Sequence, residues 1–143
     1  NITKKKIIPY IDLEYSTEMA LGSYWSQLDS RQKKIFERDM KNSLINEYVG
    51  ILSDLAIWED IKIFVNEDFN QNENLALVKV LLSLEKENSS ASVTLKLVRK
   101  NRWKIYDLEY QSISIIDLER VGYDSKIKRL GIEKLIQKML KKS

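Results

Sequence analysis

Early in the chain, apolar positions recur at helical spacing. Ile8, Ile11, Tyr15, Met19 and Gly22 fall three or four residues apart, which predicts a helix over 4–27 with one buried stripe. Pro9 belongs in its first turn or kinks it, because proline has no amide hydrogen to donate to the preceding turn. Asp29 and Gln32 then have the spacing of a reciprocal helix cap. Beyond them Phe36, Met40, Leu44, Tyr48 and Leu52 follow at four-residue intervals, with Ile35, Ile45 and Val49 widening the stripe. The opposite face is Lys, Glu, Asp and Asn, so a second helix is expected over 30–55.

After Trp58 the period shortens. Ile61, Ile63 and Val65 alternate with Lys62 and Phe64, as in a strand. NEDFNQNEN (66–74) reads as a polar loop, and LALVKVLLSLEKE (75–87) is apolar at nearly every position, as in a strand covered on both sides. Turns at Asn88-Ser89-Ser90 and at Asn101 separate SVTLKLVRK from RWKIYDLEYQ, giving an antiparallel meander over about 60–111. Helical spacing returns from Ile115 to Leu130 and from Ile132 to Leu140, inside a C-terminal region of 115–142, with Gly131 as the break. Helices, then about four strands, then helices make an α+β fold, helices on one face of the sheet, in a single domain over 1–143.

Turn length sets which residues share a face. If both turns hold an even number of residues, 84 faces 93, 82 faces 95, 98 faces 103 and 95 faces 106. One face then collects Val78, Val80, Leu82, Leu84, Val93, Leu95, Leu97, Tyr106, Leu108 and Tyr110. The other carries Leu77, Lys79, Ser83, Thr94, Lys96, Trp103, Ile105, Asp107 and Glu109. The first set is nearly all apolar and the second is mixed. Such a face is either a solid core or the wall of an apolar cavity, and the pattern leaves both open.

Composition narrows the chemistry. The chain of 143 residues has no His and no Cys, which removes thiol nucleophiles, histidine acid–base catalysis and zinc sites built on those ligands. Its four glycines are scattered singly, so no phosphate-cradling loop exists. A net charge of +3 is too small to argue for nucleic acid. No apolar run approaches the ~20 residues of a membrane span. The first residue is Asn1 rather than Met, as expected of a mature or trimmed product, in which any export signal would already be gone. Asp107 and Glu109 lie two apart on the mixed face, where exposure to solvent or an ion pair with Lys96 or Lys79 outweighs a catalytic pair. Lysines crowd both ends, as solvated helix faces or as a surface for anionic partners.

Three segments carry a family resemblance. RWKIYDLEYQSISII resembles the W-K-[VI]-Y-D-x-x-[IVY]-E-G-[VI]-S stretch of the MlaC (toluene-tolerance) family of periplasmic phospholipid-binding proteins, through Trp103, Lys104, Ile105, Tyr106, Asp107, Ile113 and Ser114. Upstream, Leu21, Gly22, Trp25, Ser30, Gln32, Phe36, Leu44 and Tyr48 meet the same family's pattern, and GIEKLIQKMLKK resembles its closing helix. Two departures stand out. The family's Glu-Gly is Gln111-Ser112 here, and of its Asn-Tyr-Arg only Arg120 agrees.

The resemblance implies a periplasmic carrier whose strongly twisted sheet and helices enclose an apolar cleft. Phospholipid would be cargo, with no cofactor, metal, catalysis or nucleic acid. Its partners would be membrane-bound lipid-transport complexes of the inner and outer membranes, of the kind associated with an ABC transporter. The expected walls are Val80, Leu82, Leu95, Leu97, Tyr106, Leu108 and Tyr110 from the sheet. Ile11, Tyr15, Met19, Met40, Leu44 and Tyr48 would form the helical lid. Two other classes compete: a small cone-shaped α+β enzyme with Asp107 as base, which needs a polar cluster in the cavity, and a cavity-free adaptor.

Overall fold

The computed structural model describes the backbone of residues 8–55, 61–84 and 89–142, and side chains within 8–51, 73–81 and 90–142. A short 3-10 turn at Ile8–Tyr10 leads into α1 (Leu13–Leu21), a second 3-10 segment spans Gly22–Gln27, and α2 runs over Ser30–Leu55. The strands are β1 (Ile61–Asn72), β2 (Leu75–Leu84), β3 (Ser89–Arg99), β4 (Trp103–Tyr110) and the short β5 (Ile113–Ser114). Helices α3 (Ile115–Leu130) and α4 (Ile132–Lys141) close the chain. The strands form one antiparallel sheet in sequence order, so the expected α+β meander is present.

The leading helix is shorter than its periodicity predicts. Asp12 is the N-cap of α1, accepting from the Tyr15 amide at 2.9 Å, which leaves Pro9 in the 3-10 turn ahead of the helix. At the other end Gly22, with φ of 57°, stops α1 and hands over to the 3-10 segment. Residues 1–7 lie outside the described part. Helix α2 has the predicted bounds. Asp29 and Gln32 cap it reciprocally, the Asp29 amide donating to Gln32 Oε1 at 2.9 Å and the Gln32 amide to Asp29 Oδ1 at 2.8 Å.

Strand β1 continues through most of the stretch read as a polar loop, with register shifts at Asn66/Phe69 and Asn70/Asn72. It is an edge strand, and an edge tolerates polar residues that a central strand would not. Ser89 and Ser90 likewise belong to β3, opposite Leu84 and Ser83, rather than to a turn; Asn88 is outside the described residues.

The register differs from expectation in an instructive way. Val80 faces Val93 and Val78 faces Leu95, four positions from the expected pairing of 82 with 95. An even displacement keeps every side chain on its face. Between β3 and β4, Arg99 faces Trp103, so the turn holds an odd number of residues, Lys100 to Arg102. That puts Trp103 and Ile105 on the face of Leu97 instead of the mixed face. A bulge at Tyr106, between the Lys96–Asp107 and Leu97–Ile105 pairs, then restores the parity. Leu108 and Tyr110 end up on the expected face, beside Leu95 and Val93.

The core sits mainly among the helices. Phe36, Met40 and Leu44 of α2 have no exposed surface, and they meet Ala20 and Leu21 of α1, Ile116, Tyr123 and Ile127 of α3, and Leu135, Ile136 and Met139 of α4. Phe36 and Tyr123 pack edge to face, with ring centres 5.6 Å apart, while the Tyr123 hydroxyl donates to Asp39 Oδ2 at 2.7 Å. Burial and the Asp39 charge push the Tyr123 phenol pKa upward. Gly131, with φ of 84°, separates α3 from α4 as predicted.

Candidate functional site

Two cross-strand rows build the apolar face toward the helices. Val80, Val93 and Tyr110 form one row, and Val78, Leu95 and Leu108 the next. Val93 and Leu108 are buried in the core, whereas Val80, Leu95 and Tyr110 are half-buried against it. Where the first row ends, an open cleft of about 370 Å³ lies between α2, the β4–β5 turn and the start of α3. Glu47, Gly50, Ile51, Tyr110, Gln111, Ile113, Ile115 and Leu118 line it. Ile113 and Leu118 are 55% and 58% exposed, so apolar surface continues outward from the mouth.

The turn that shapes this mouth is strained for its residues. Gln111 and Ser112 connect β4 to β5 with φ of 51° and 67°, a two-residue hairpin turn in which both backbones are left-handed. Ser112 stands where the resembled family pattern has glycine.

Behind Ile51, one turn earlier on α2, Tyr48 is 3% exposed. Its hydroxyl has no hydrogen-bond partner among the described residues. Burial, and then the nearby negative charge of Asp107, push the phenol pKa up, so the group remains a proton donor at neutral pH. A buried donor of this kind costs free energy until an acceptor reaches it.

Asp107 itself is fully committed. It is 2% exposed, so of the two expected alternatives it takes the ion pair with Lys96 and not solvent exposure. Its Oδ1 accepts from the amides of Leu108 and Ile116 at 2.7 and 3.1 Å, and Oδ2 accepts from the Ser114 hydroxyl at 2.6 Å. Lys96 Nζ lies 3.1 Å from Oδ2 and 3.3 Å from Glu109 Oε1. Burial lowers the Lys96 pKa, but the bonds and charges of Asp107 and Glu109 outweigh it and the net shift is upward. Ser114 in turn caps α3, accepting from the Asp117 amide at 3.0 Å. The carboxylate therefore anchors a helix start to the sheet, which leaves it little freedom to act as the base of an enzyme.

Of the other expected wall residues, Leu97 is half-buried and Tyr106 occupies the bulge, its ring edge-on to Tyr15 at 4.9 Å. Burial raises the Tyr106 phenol pKa. The Leu82 side chain lies outside the described residues. Among the expected lid residues, Met40 and Leu44 are sealed in helix packing and Met19 is half-buried. The Met19 carbonyl accepts from Arg120 Nε and Nη2 at 3.1 and 2.9 Å, which gives the matching family arginine a role in pinning α1 to α3. Ile11 is buried and its backbone bridges to Ile105, extending the β4 edge; with Leu44 it borders a crevice of about 50 Å³. A broader depression of about 660 Å³ flanks Ile11, but Lys100, bonded to Asp12 and Glu14, and Arg102 make its rim polar.

Among the expected residues whose side chains are described, only Tyr110 reaches the cleft mouth. Ile51 was missed because the α2 stripe was continued from Tyr48 to Leu52, although a three-residue step from Tyr48 reaches it. Gln111 lies in the turn and Ile113 just after it, where the alternation rule fails, and Leu118 is on the exposed side of α3, away from its buried residues.

Comparison with known proteins places this architecture. The family model described as MlaC protein matches residues 1–141. The intermembrane phospholipid transport system binding protein MlaC of Haemophilus influenzae is 22% identical over 143 residues, 96% of this chain and 65% of the relative. The chain thus spans a little under two thirds of that relative's length. A solved structure of the phospholipid-binding protein from Ralstonia solanacearum, in complex with a phospholipid, matches with a TM-score of 0.75 at 20% identity. That match covers 96% of this chain and 75% of the other, and it shows a shared fold.

Proposed function

The chain belongs to the MlaC protein family, and from that membership we propose that it carries phospholipid between membranes. The observation that carries this reading is the continuity of apolar surface from the Val80–Val93–Tyr110 row into an open cleft, with the Tyr48 hydroxyl, buried and without a partner among the described residues, one helical turn from the cleft residue Ile51. Acyl chains need dry walls without directional polar groups, and an ester or phosphate oxygen needs one donor. The Val80–Val93–Tyr110 row offers the apolar wall, Glu47 and Gln111 add polar groups to the cleft lining, and the Tyr48 hydroxyl is a donor one helical turn from Ile51. The Haemophilus relative is named for phospholipid transport and the Ralstonia protein holds a phospholipid, which supports the same cargo here.

The physical task is to keep hydrocarbon out of water. Each methylene is worth about 0.8 kcal/mol on leaving water, so half of two acyl chains amounts to roughly 10 kcal/mol. A free lipid therefore crosses an aqueous gap very slowly. A carrier exchanges membrane hydrocarbon for protein hydrocarbon, and small differences between donor, carrier and acceptor set the direction. No described helix is long and apolar enough to cross a membrane. The reading places the carrier in the periplasm, delivering to and collecting from lipid-transport complexes of the two membranes, without a cofactor and without making or breaking a bond.

The test is to extract purified protein with organic solvent and measure phospholipid by mass spectrometry. Close to one phospholipid per chain is expected, and Leu95→Trp, which fills the half-buried centre of the apolar face, should reduce it severalfold in a protein that still melts cooperatively. A chain purified under native conditions that carries no phospholipid would overturn the reading.

A further inference from the structure

From Ser125 to the end the sequence holds seven cations and a single carboxylate, Glu133. The fold sorts them. Helix α4 turns Leu135, Ile136 and Met139 into the core, while Lys134, Lys138 and Lys141, spaced four and three residues apart, line its exposed face. Lys142, and Lys126 and Arg129 at the end of α3, are also exposed. Lys128 is paired, its Nζ 2.9 Å from Asp124 Oδ2, but the other six form no salt bridge with any described residue. Charge that supports no internal contact adds self-repulsion to the fold.

We propose that this lysine stripe docks the protein on a bilayer surface bearing anionic headgroups. The chemistry favours a lipid surface over a protein partner. Protein interfaces bury aromatic and arginine anchors at their centres and are depleted in lysine. Here the stripe is lysine, flexible and strongly hydrated, and Lys134, Lys138 and Lys141 project from an exposed helix face. A fluid plane of phosphates needs no fixed geometry, and each basic residue near it contributes about 1 kcal/mol. The helix cannot insert, because its apolar face is already used in the core. The attachment is therefore electrostatic and reversible by salt.

Position adds to the case. Met139 and Lys142 lie against the Ile35–Asn42 part of α2, whereas the cleft lies at Glu47–Ile51, about 15 Å further along that helix at 1.5 Å per residue. A protein held by the stripe keeps its cleft uncovered. The inference is independent of cargo: a chain without lipid would still bind by this face.

Cosedimentation with vesicles tests it, using phosphatidylcholine alone and phosphatidylcholine with roughly one third phosphatidylglycerol. The protein should bind only the anionic vesicles, and about 0.5 M salt should release it. The triple variant K134Q/K138Q/K141Q should bind about 100-fold more weakly, about fivefold per lysine, while K134R/K138R/K141R binds like the parent. All three positions are exposed, so unchanged circular dichroism and unchanged phospholipid content confirm that fold and cargo are intact. Failure of the parent to bind anionic vesicles at low salt, or equal binding by the glutamine variant, overturns the proposal and points to an acidic protein surface instead.

Discussion

At the scale of single residues, Tyr48 carries the sharpest expectation. Its hydroxyl is buried and has no partner among the described residues, so deleting it should help the empty protein and harm the loaded one. Tyr48→Phe is expected to stabilise delipidated protein by about 1–2 kcal/mol and to give a smaller gain, or a loss, with phospholipid bound. Urea denaturation of both forms measures this, and equal shifts would show that cargo does not touch the hydroxyl. Glu119 gives a pH signature. It is half-buried, and burial lifts its carboxyl above the usual value of 4.5, the Ser43 hydroxyl bond opposing this and the Asp39 and Glu47 charges adding to it. A raised carboxyl binds more protons folded than unfolded, so its contribution is complete below pH 4.5 and is lost as pH rises through the higher folded value. Glu119→Gln should therefore gain stability relative to the parent between acid and neutral pH. A difference independent of pH would contradict the assignment.

At the scale of elements, the hairpin between β4 and β5 invites one substitution. Ser112 has φ of 67°, where glycine is at ease, so Ser112→Gly is expected to stabilise by about 0.5–1 kcal/mol, read as a higher thermal midpoint. The same turn shows where reading a sequence stops. Helix α2 was legible end to end, because its stripe and its Asp29–Gln32 cap agree. Helix α1 was not, since Asp12 starts a helix within a stripe that Ile8 and Ile11 already continue. Side-chain alternation gave most of the sheet's faces but not its pairings, because parity survives an even displacement while partners do not. Trp103 and Ile105 were misplaced by one odd turn, and Leu108 and Tyr110 were placed well only because the bulge at Tyr106 offsets it. The length of the Lys100–Arg102 turn and the bulge are thus linked: a one-residue change in either alone would turn one end of β4 inside out.

At the scale of the molecule, packing is uneven among the described residues. The helical layer closes around Phe36, Met40 and Leu44, which have no exposed surface, and Asp107 ties that layer to the sheet through Lys96, Ser114 and the start of α3. The sheet rows facing it are only half-buried at Val80, Leu95 and Tyr110. A fatty tail pushed between the helices would have to displace side chains at native packing density, at a cost of several kcal/mol. At Val80, Leu95 and Tyr110 the described sheet face is less closely packed than that layer. Among the described residues the chain therefore pairs a firm helical spine with a less tightly packed wall, and under the proposed function it is the wall that would make room for cargo while the spine keeps the fold.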